Sequence, residues 1–223
     1  MRPSLRMPKS FSVSVLPMPS NSPAVVAEHE VFWGEIAPTE HLIHLYDDER
    51  AFSSLLERFV AGGLLAYESV IVIATAAHLA VLEGRLESRG INLRQARESD
   101  RYLTLDAEDC LGVFMVNGRP DPERFNKVVI DLLTRAGRNG RKVRAFGEMV
   151  ALLWAQGHSG ATVQLEHLWN QLRATLPFPL YCSYPQTGFT QDSTESLKEI
   201  CATHTKVICN GSNEPWMVGF RPA

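Results

Sequence analysis

The sequence predicts an α/β domain of three layers, in which a mostly parallel central sheet is covered by helices on both faces. Short apolar runs alternate along the chain with longer stretches of helical period. The runs, each a predicted strand, are HLIHLY at 41–46, VIVIA at 70–74, YLTL at 102–105, KVRAF at 142–146 and LYCSY at 180–184. Strands that are apolar on both faces and separated by helices are typical of parallel sheets buried on both sides.

Apolar residues at helical spacing predict helices between these strands. The first helix has an apolar face that starts at Phe52, and we expect Gly62 and Gly63 to end it. A second helix follows Thr75 and closes at Gly90, a residue typical of helix C-termini. The remaining predicted helices are one capped by Asp121 with Pro122 in its first turn, and two that span 149–156 and 161–176.

The composition is that of one compact domain without a bias toward polyanionic partners. The chain has 223 residues, 45% of them apolar, and a formal net charge of −3. It can therefore bury a sizeable core, and direct binding of nucleic acid is not expected. The one basic stretch, from Arg135 to Arg144, is interrupted by glycine and is expected to be a solvated loop.

No apolar run approaches the ~20 residues that a membrane-spanning helix needs. The longest, VIVIATAAHLAVL, is interrupted by His78. The N-terminus imitates a secretory signal, but Pro17 and Pro19 break its apolar segment. We therefore expect a cytoplasmic protein that does not contact a membrane.

Cysteine spacing predicts free thiols and no metal site. The chain has four cysteines, Cys110, Cys182, Cys201 and Cys209. They show neither C-x-x-C spacing nor a histidine at ligand spacing. We expect no cofactor.

Three segments are predicted along the chain. Residues 1–36 are rich in Pro, Ser and Met without a sustained period, which predicts a disordered N-terminal arm. The folded domain is expected to span 37–205, and 206–223 would form a C-terminal extension.

The carboxyl ends of the strands are where an open parallel sheet binds its ligands. A nucleotide-binding loop is absent after the first strand, because the turn reads YDDER instead of a glycine-rich cradle. Asp47, Asp48 and Glu49 would repel a triphosphate there. The alternative interpretation of the two aspartates is an N-cap and first-turn charge for the following helix.

Other polar residues at these ends predict a pocket. Tyr46, Glu148 and Tyr184 are expected to converge on one cavity, with His41 supporting it from inside the first strand. Glu148 could equally be a first-turn helix acid. His41 and His44 should face opposite sides of their strand, so they are not a ligand pair. Glu166 and His167 are adjacent on a helix and point about 100° apart, so they should not share a metal.

Several motifs together resemble a known family. They are HLIHLY, VAGGLLAYESVIVIAT, RYLTLDAEDCLGVFMVNGRPD, VRAFGEMVALLWAQG, LEHLWNQL and LYCSYP, in this order. The chain resembles, over about residues 38–205, the MEDS family, the methanogen/methylotroph sensory domain of the dichloromethane-regulator type. The resemblance implies a RecA/KaiC-like layout without the phosphate-binding loop, and a sensory domain of prokaryotic regulators that recognises small organic molecules.

By position, the family's motifs fall on residues of this chain that become candidates for ligand binding. The strand-end residues and Arg144, which lies within a predicted strand, are also candidates. The full set is His41, Tyr46, Glu148, Tyr184, Arg144, Glu166, Trp169 and Cys182. Trp169 and the motif residue Met149 lie on helical faces and are expected to be core residues.

Two functions from different classes remain. The first is a non-catalytic sensory module that binds a small organic molecule and signals to a partner such as a histidine kinase, a transcription regulator or a sigma-factor control protein. The second is an enzyme or a residual nucleotide-binding protein of the RecA-like class that uses Glu148, Asp106 and Tyr46. Because no paired catalytic constellation can be assembled, the sequence favours the first. The number of subunits is left open, and a homo-oligomer is compatible with either function.

Overall fold

A seven-stranded sheet forms the centre of the protein. The structure is a computed structural model that describes residues 23–27, 31, 33–186 and 194–209. The strands of the sheet are β1 (Ala24–Ala27), β2 (His41–Tyr46), β3 (Ser69–Ala74), β4 (Tyr102–Asp106), β7 (Val143–Gly147), β8 (Leu180–Pro185) and β9 (Lys206–Cys209). A separate hairpin pairs β5 (Met115–Val116) with β6 (Arg119–Pro120).

All pairings in the large sheet are parallel, in the order β1-β9-β2-β8-β7-β3-β4. The five predicted strands are confirmed, each to within one residue at either end. β2 and β3 are buried at every position, which explains their largely apolar sequences.

Helices cover both faces of the sheet. Their bounds are α1 (Glu49–Leu65), α2 (Ala76–Ser88), α3 (Leu93–Glu98), α4 (Ala107–Phe114), α5 (Pro122–Ala136), α6 (Met149–Ala155), α7 (Ser159–Thr175) and α8 (Thr194–Ala202). One apolar core contains buried residues of α1, α2 and α3, and the other contains those of α4 to α8. The predicted three-layer α/β class is therefore confirmed. Among the described residues, no helix combines the length and the apolar character needed to cross a membrane.

The caps follow the sequence closely. Thr75 caps α2 and Asp121 caps α5, each through a side chain that accepts from a backbone N–H. Gly90, just after α2, has φ +79, as expected of a glycine that ends a helix. Met149 and Trp169 are buried in the core, as expected.

Both ends of the described chain enter the sheet, which sequence reasoning did not anticipate. β1 lies in the segment that was expected to be a disordered arm, and β9 lies in the expected C-terminal extension. Trp33 is also buried, and its ring packs edge-on against Phe59. The expectation of disorder is therefore wrong for 24–27 and for Trp33. Residues 1–22, 28–30 and 32 lie outside the described residues, and for them disorder stays a prediction.

Gly62 and Gly63 do not end α1, because the helix continues to Leu65. A Cβ atom on Gly63 would lie 2.8 Å from Cδ and Nε of Arg144, and one on Gly62 would lie 2.4 Å from the carbonyl oxygen of Trp33. The two glycines therefore allow a close approach of neighbouring groups to the helix, and a helix interior tolerates them at a cost of about 1 kcal/mol each.

The basic stretch from Arg135 to Arg144 is not simply a solvated loop. Arg135 and Arg138 both form ion pairs with Asp100. Arg144 is fully buried on β7, where Nε donates to Glu68 at 2.6 Å and Nη1 donates to the carbonyl oxygens of Trp33 and Phe59. Arg144 thus joins the sheet to α1 and to the chain before β2.

Candidate functional site

Glu148 lies at the carboxyl edge of the sheet, immediately after β7. Its backbone N–H donates to the carbonyl oxygen of Ile73 at 2.8 Å. Its carboxylate accepts from the backbone N–H of Thr75 at 2.9 Å and from Nδ1 of His78 at 2.6 Å. Glu148 therefore binds the N-terminus of α2, the neighbouring helix, and forms no side-chain cap on α6, the helix that follows it. Its 5% exposed surface leaves little of it open to a ligand.

His78 connects Glu148 to a second carboxylate. Its Nε2 lies 3.3 Å from Oε2 of Glu49, at the start of α1. The hydrogen bond that Nδ1 of His78 donates to Glu148 has the largest effect on the ring and raises the pKa of His78, and the negative charges of both carboxylates add to this effect. In the sequence alone, His78 stands out only as a break in an apolar run. Its position in the first turn of α2, facing two strand ends, was the available signal.

Tyr46 borders this network and is buried. Its ring stacks on Phe52 at 4.8 Å, and the Phe52 ring lies 4.8 Å from that of His78. Burial raises the pKa of the Tyr46 phenol, and the nearby charges of Glu49 and Glu148 act in the same direction. Tyr46 is thus a packed, neutral aromatic residue.

The turn between β2 and α1 supports the N-cap interpretation for Asp48. Asp48 has extended backbone angles, and its Oδ1 accepts from the backbone N–H of Arg50 at 3.0 Å. With Glu49 in the first helical turn, the dipole of α1 is complemented by acids of the chain itself. A phosphate group would have to displace this charge.

A second set of polar groups lies inside the core on the opposite face of the sheet. We call it the buried polar cluster and define it as His41 of β2, Glu166 of α7, Cys182 of β8 and His204, which lies between α8 and β9. One ligand-type atom from each of the four residues lies within 4.8 Å of every other. All four side chains are buried.

Close contacts hold the buried polar cluster together. Nε2 of His41 is 3.5 Å from Oε2 of Glu166 and 3.6 Å from Sγ of Cys182. Nε2 of His204 is 3.6 Å from Oε1 of Glu166, and the two imidazole rings lie 3.9 Å apart. The hydroxyl of Tyr184 donates to Oε1 of Glu166 at 2.5 Å. Tyr184 therefore orients the carboxylate at the centre of the cluster.

Burial dominates the electrostatics of the cluster. It raises the pKa of Glu166 to about 7, against the opposing hydrogen bonds from Tyr184 and Cys182. It lowers the pKa of His204 to about 3, lowers that of His41, and raises that of the Cys182 thiol. Desolvation disfavours every charged form, so the protein groups alone favour neutral imidazoles and a protonated thiol.

The eight candidates from sequence analysis do not form one pocket. Tyr46 and Glu148 lie on the α1–α2 side, whereas His41, Glu166, Cys182 and Tyr184 lie together on the α7–α8 side. The expectation that Tyr46, Glu148 and Tyr184 converge on one cavity supported by His41 is therefore wrong. Side chains alternate along β2, so this strand presents Tyr46 to one face of the sheet and His41 to the other.

The other two candidates are held by packing and internal bonds. The ring of Trp169 meets that of Phe125 edge-on at 4.9 Å, and Arg144 is bound to Glu68. Whether any of the eight binds a ligand stays a prediction.

Further expectations about histidines are confirmed. His44 faces away from His41 and lies 3.0 Å from the hydroxyl of Tyr181. His167 points to the surface, where it pairs with Glu199 at 3.1 Å, and so shares nothing with Glu166. His204 was missed, because it follows α8 and is distant in sequence from the other three residues of the buried polar cluster.

An open groove lies at the amino ends of the strands, opposite the edge on which sequence reasoning concentrated. Its volume is about 710 Å³. Its apolar walls include Val26, Ile36 and Leu42, and its polar rim includes Lys142 and Lys206. A second, shallower groove of about 440 Å³ lies between α4 and α6. Neither groove is lined by any of the eight candidates.

The protein is a three-layer α/β domain. The turn after β2, where a nucleotide-binding loop would lie, is acidic, and the core encloses the buried polar cluster. The family model of MEDS, the methanogen/methylotroph, DcmR sensory domain, matches residues 40–205. The match covers well over half of the chain, so the chain belongs to the MEDS family, a family of sensory domains. A search of the curated proteins gives no match.

Proposed function

We propose that this chain is a non-catalytic sensory module that binds a small organic molecule in the groove at the amino ends of the strands. The observation that carries the proposal is the groove itself, whose volume of about 710 Å³ suits a small ligand. Ligand pockets are typically about 300–1,000 Å³, mostly apolar, with a few polar groups that orient the ligand. The groove has this composition.

The charges around the groove favour a largely apolar ligand with one polar group. Lys206 is paired with Glu40 at 2.6 Å, and Glu68 is paired with Arg144. These acids and bases neutralise each other within the protein. Lys142 and Glu35 both line the groove, are exposed and form no ion pair among the described residues, so they are charged groups available to orient a ligand.

The location of the groove suggests how binding would reach a partner. Val26 of β1, Leu42 of β2, Val143 of β7 and Lys206 of β9 all line it. A bound ligand would therefore contact both the central strands and the two strands that come from opposite ends of the described chain. β1 stands at one end of the strand order of the sheet, as far as the structure describes the chain. We propose that ligand binding shifts β1 and β9 relative to the central strands, and that a partner regulator, such as a histidine kinase or a transcription regulator, responds to this shift.

The test is identification of a ligand and of its position. We expect a small organic molecule to be found by mass spectrometry of the purified protein, or a metabolite panel to include a compound that raises Tm. A ligand at 100 times its Kd adds about 2.7 kcal/mol to the free energy of unfolding. Ala37→Phe, which fills the groove from its exposed rim, should abolish the shift.

Ala80→Phe, on the exposed surface of α2, is the matched control and should leave the shift unchanged. A ligand-dependent shift that survives Ala37→Phe would place the site elsewhere. Turnover of the bound compound by the purified protein would replace the sensory proposal by the enzyme alternative.

A further inference from the structure

We propose that His41, Glu166, Cys182 and His204 bind one divalent transition-metal ion, with zinc as the ion that their donor atoms fit best. This site is separate from the groove and does not depend on the proposed sensory ligand. The observations that support it are the orientation of the two imidazole rings, the spacing of the donor atoms and the charge balance of a buried site.

The hydrogen bonds at Nδ1 fix which nitrogen of each histidine faces the cluster. Nδ1 of His204 lies 2.7 Å from the carbonyl oxygen of Ile200, which can only accept, so this nitrogen carries the proton. Nε2 of His204 is therefore an acceptor in the neutral ring. Among the described residues, this buried nitrogen has no hydrogen-bond partner.

His41 is held in the same way. Asn170 donates from Nδ2 to the carbonyl oxygen of Thr203 at 2.7 Å, which turns its Oδ1 toward Nδ1 of His41 at 2.9 Å. Nδ1 of His41 therefore donates, and Nε2 points its lone pair at Glu166 and Cys182. Metal-binding histidines typically donate their second ring N–H to a carbonyl or carboxylate oxygen in this manner.

Several lone pairs inside the cluster point at one another. Two imidazole nitrogens and the carboxylate of Glu166 all accept, and the Tyr184 hydroxyl donates to Oε1 of that carboxylate. The thiol of Cys182 can supply a single proton, and its Sγ lies 3.6 Å from His41 and 3.9 Å from Glu166. A bound cation would satisfy every acceptor at once, whereas the protein itself offers at most the thiol proton and a proton on Glu166.

The spacing of the donor atoms matches a tetrahedral site. Zinc binds nitrogen, oxygen and sulfur ligands at about 2.0–2.3 Å, which places neighbouring ligands about 3.3–3.8 Å apart in a tetrahedron. Three separations fall in this range: Nε2 of His41 lies 3.5 Å from Oε2 of Glu166 and 3.6 Å from Sγ of Cys182, and Nε2 of His204 lies 3.6 Å from Oε1 of Glu166. Sγ of Cys182 lies 3.9 Å from Oε2 of Glu166, and every pair of residues has donor atoms within 4.8 Å. The side chains therefore already stand close to coordination distance around a common centre.

The charge balance suits a site without solvent. A divalent ion with one thiolate and one carboxylate is electrically neutral, and two neutral imidazoles complete four ligands. A buried neutral assembly avoids the large cost of an uncompensated ion in the interior. Mixed nitrogen, sulfur and carboxylate ligands in tetrahedral geometry favour zinc over the hard cations magnesium and calcium.

The metal would also link distant parts of the chain. His41 and Cys182 lie on adjacent strands, Glu166 lies on α7, and His204 precedes β9. Because all four side chains are buried, the ion would be taken up as the chain folds, and its binding free energy would stabilise the folded state. The docking of α8 and β9 onto the sheet should then depend on metal.

The experiment uses the full chain, unfolded with a chelator and refolded with Zn²⁺ or Co²⁺. We expect one equivalent of either ion per chain, a higher Tm than that of protein refolded without metal, and a thiolate-to-Co²⁺ charge-transfer band. Cys182→Ser should remove this band and weaken metal binding by about 100-fold or more. Cys110→Ser, which alters a buried cysteine on α4 outside the cluster, should leave both unchanged.

If Cys182→Ser does not fold, a measurement on the unaltered protein still tests the proposal. X-ray absorption of the zinc-loaded chain should show one sulfur at about 2.3 Å together with nitrogen or oxygen ligands that include imidazole. Uptake below one tenth of an equivalent, or bound zinc without a sulfur ligand, would overturn the proposal. Equal loss of the cobalt band in Cys110→Ser would do so as well.

Discussion

Nδ1 of His78 and Oε1 of Glu148 lie 2.6 Å apart and join the first turn of α2 to the end of β7. The second oxygen of Glu148 accepts from the N–H of Thr75, so one carboxylate serves a side chain and a helix N-terminus together. This arrangement explains why the acid stands directly after a buried strand. Its structural role can be tested independently of any ligand.

Glu148→Gln should lower the free energy of unfolding by about 1–2 kcal/mol. It removes the negative charge that stabilises protonated His78 and that interacts favourably with the dipole at the N-terminus of α2. The amide retains an acceptor for Thr75, so the fold should persist. Urea unfolding followed by circular dichroism measures the change. A variant as stable as the parent would show that the carboxylate charge contributes nothing to folding.

His78 should make stability depend on pH in a defined direction. Its pKa is raised from the ordinary value of 6.5, so the folded state binds its proton more tightly than the unfolded state. The contribution is therefore complete below about pH 6.5 and is lost as pH rises through the folded pKa. The difference in free energy of unfolding between the parent and His78→Gln should shrink from about pH 6 to about pH 9.

His158→Gln is the control for this measurement, since His158 is exposed at the start of α7. The free energy of unfolding of His158→Gln should change with pH in the same way as that of the parent. A difference between parent and His78→Gln that grows with pH would contradict the assigned direction of the shift.

Gly63→Ala should destabilise the protein by about 2 kcal/mol, because overpacking of a core costs about 1–3 kcal/mol. The added methyl group would lie 2.8 Å from Arg144 and from Cγ2 of Val70. Gly84→Ala is the matched control in a helix, since a Cβ there meets no atom within 4 Å. It should stabilise by about 0.5–1 kcal/mol through helix propensity. Thermal unfolding of both variants measures these changes in stability. A Gly63→Ala variant as stable as the parent would show that the side chain of Arg144 moves aside at little cost.

Removal of residues 1–36 should destabilise the domain far more than removal of residues 1–22. The longer deletion takes away β1 and Trp33, and loss of a buried tryptophan side chain alone costs about 3–5 kcal/mol. The shorter deletion removes the segment for which disorder is predicted. Denaturant unfolding of both shortened chains provides the comparison. Equal stability of the two would mean that β1 and Trp33 contribute little.

ATP and ADP, with or without Mg²⁺, should leave Tm unchanged. Asp48 already caps α1 and Glu49 adds charge in its first turn, so a triphosphate there would meet acids at the end of the helix. Thermal shift at millimolar nucleotide, together with a phosphate-release assay, tests this expectation. Micromolar affinity or measurable turnover would contradict it and favour the residual nucleotide-binding alternative.

The sequence by itself determined the fold class, because apolar runs at strand length and apolar faces at helical spacing are local patterns. The five strands it predicted and the caps at Thr75 and Asp121 depend on neighbouring residues only. β1 and β9 escaped prediction for the same reason. AVVA and KVIC are short, and each is stabilised as a strand by pairing with a segment that is distant in the chain.

Tertiary structure alone decided the candidate sites. The alternation of side chains along β2 separates Tyr46 from His41, and only the assembled sheet shows which partners each face receives. His41, Glu166, Cys182 and His204 span most of the chain, so no spacing rule could connect them. Strand pairing of β2 with β8 and packing of α7 and α8 bring their donor atoms within 4.8 Å. Local sequence thus specifies the elements, whereas contacts between residues far apart in the chain specify the chemistry.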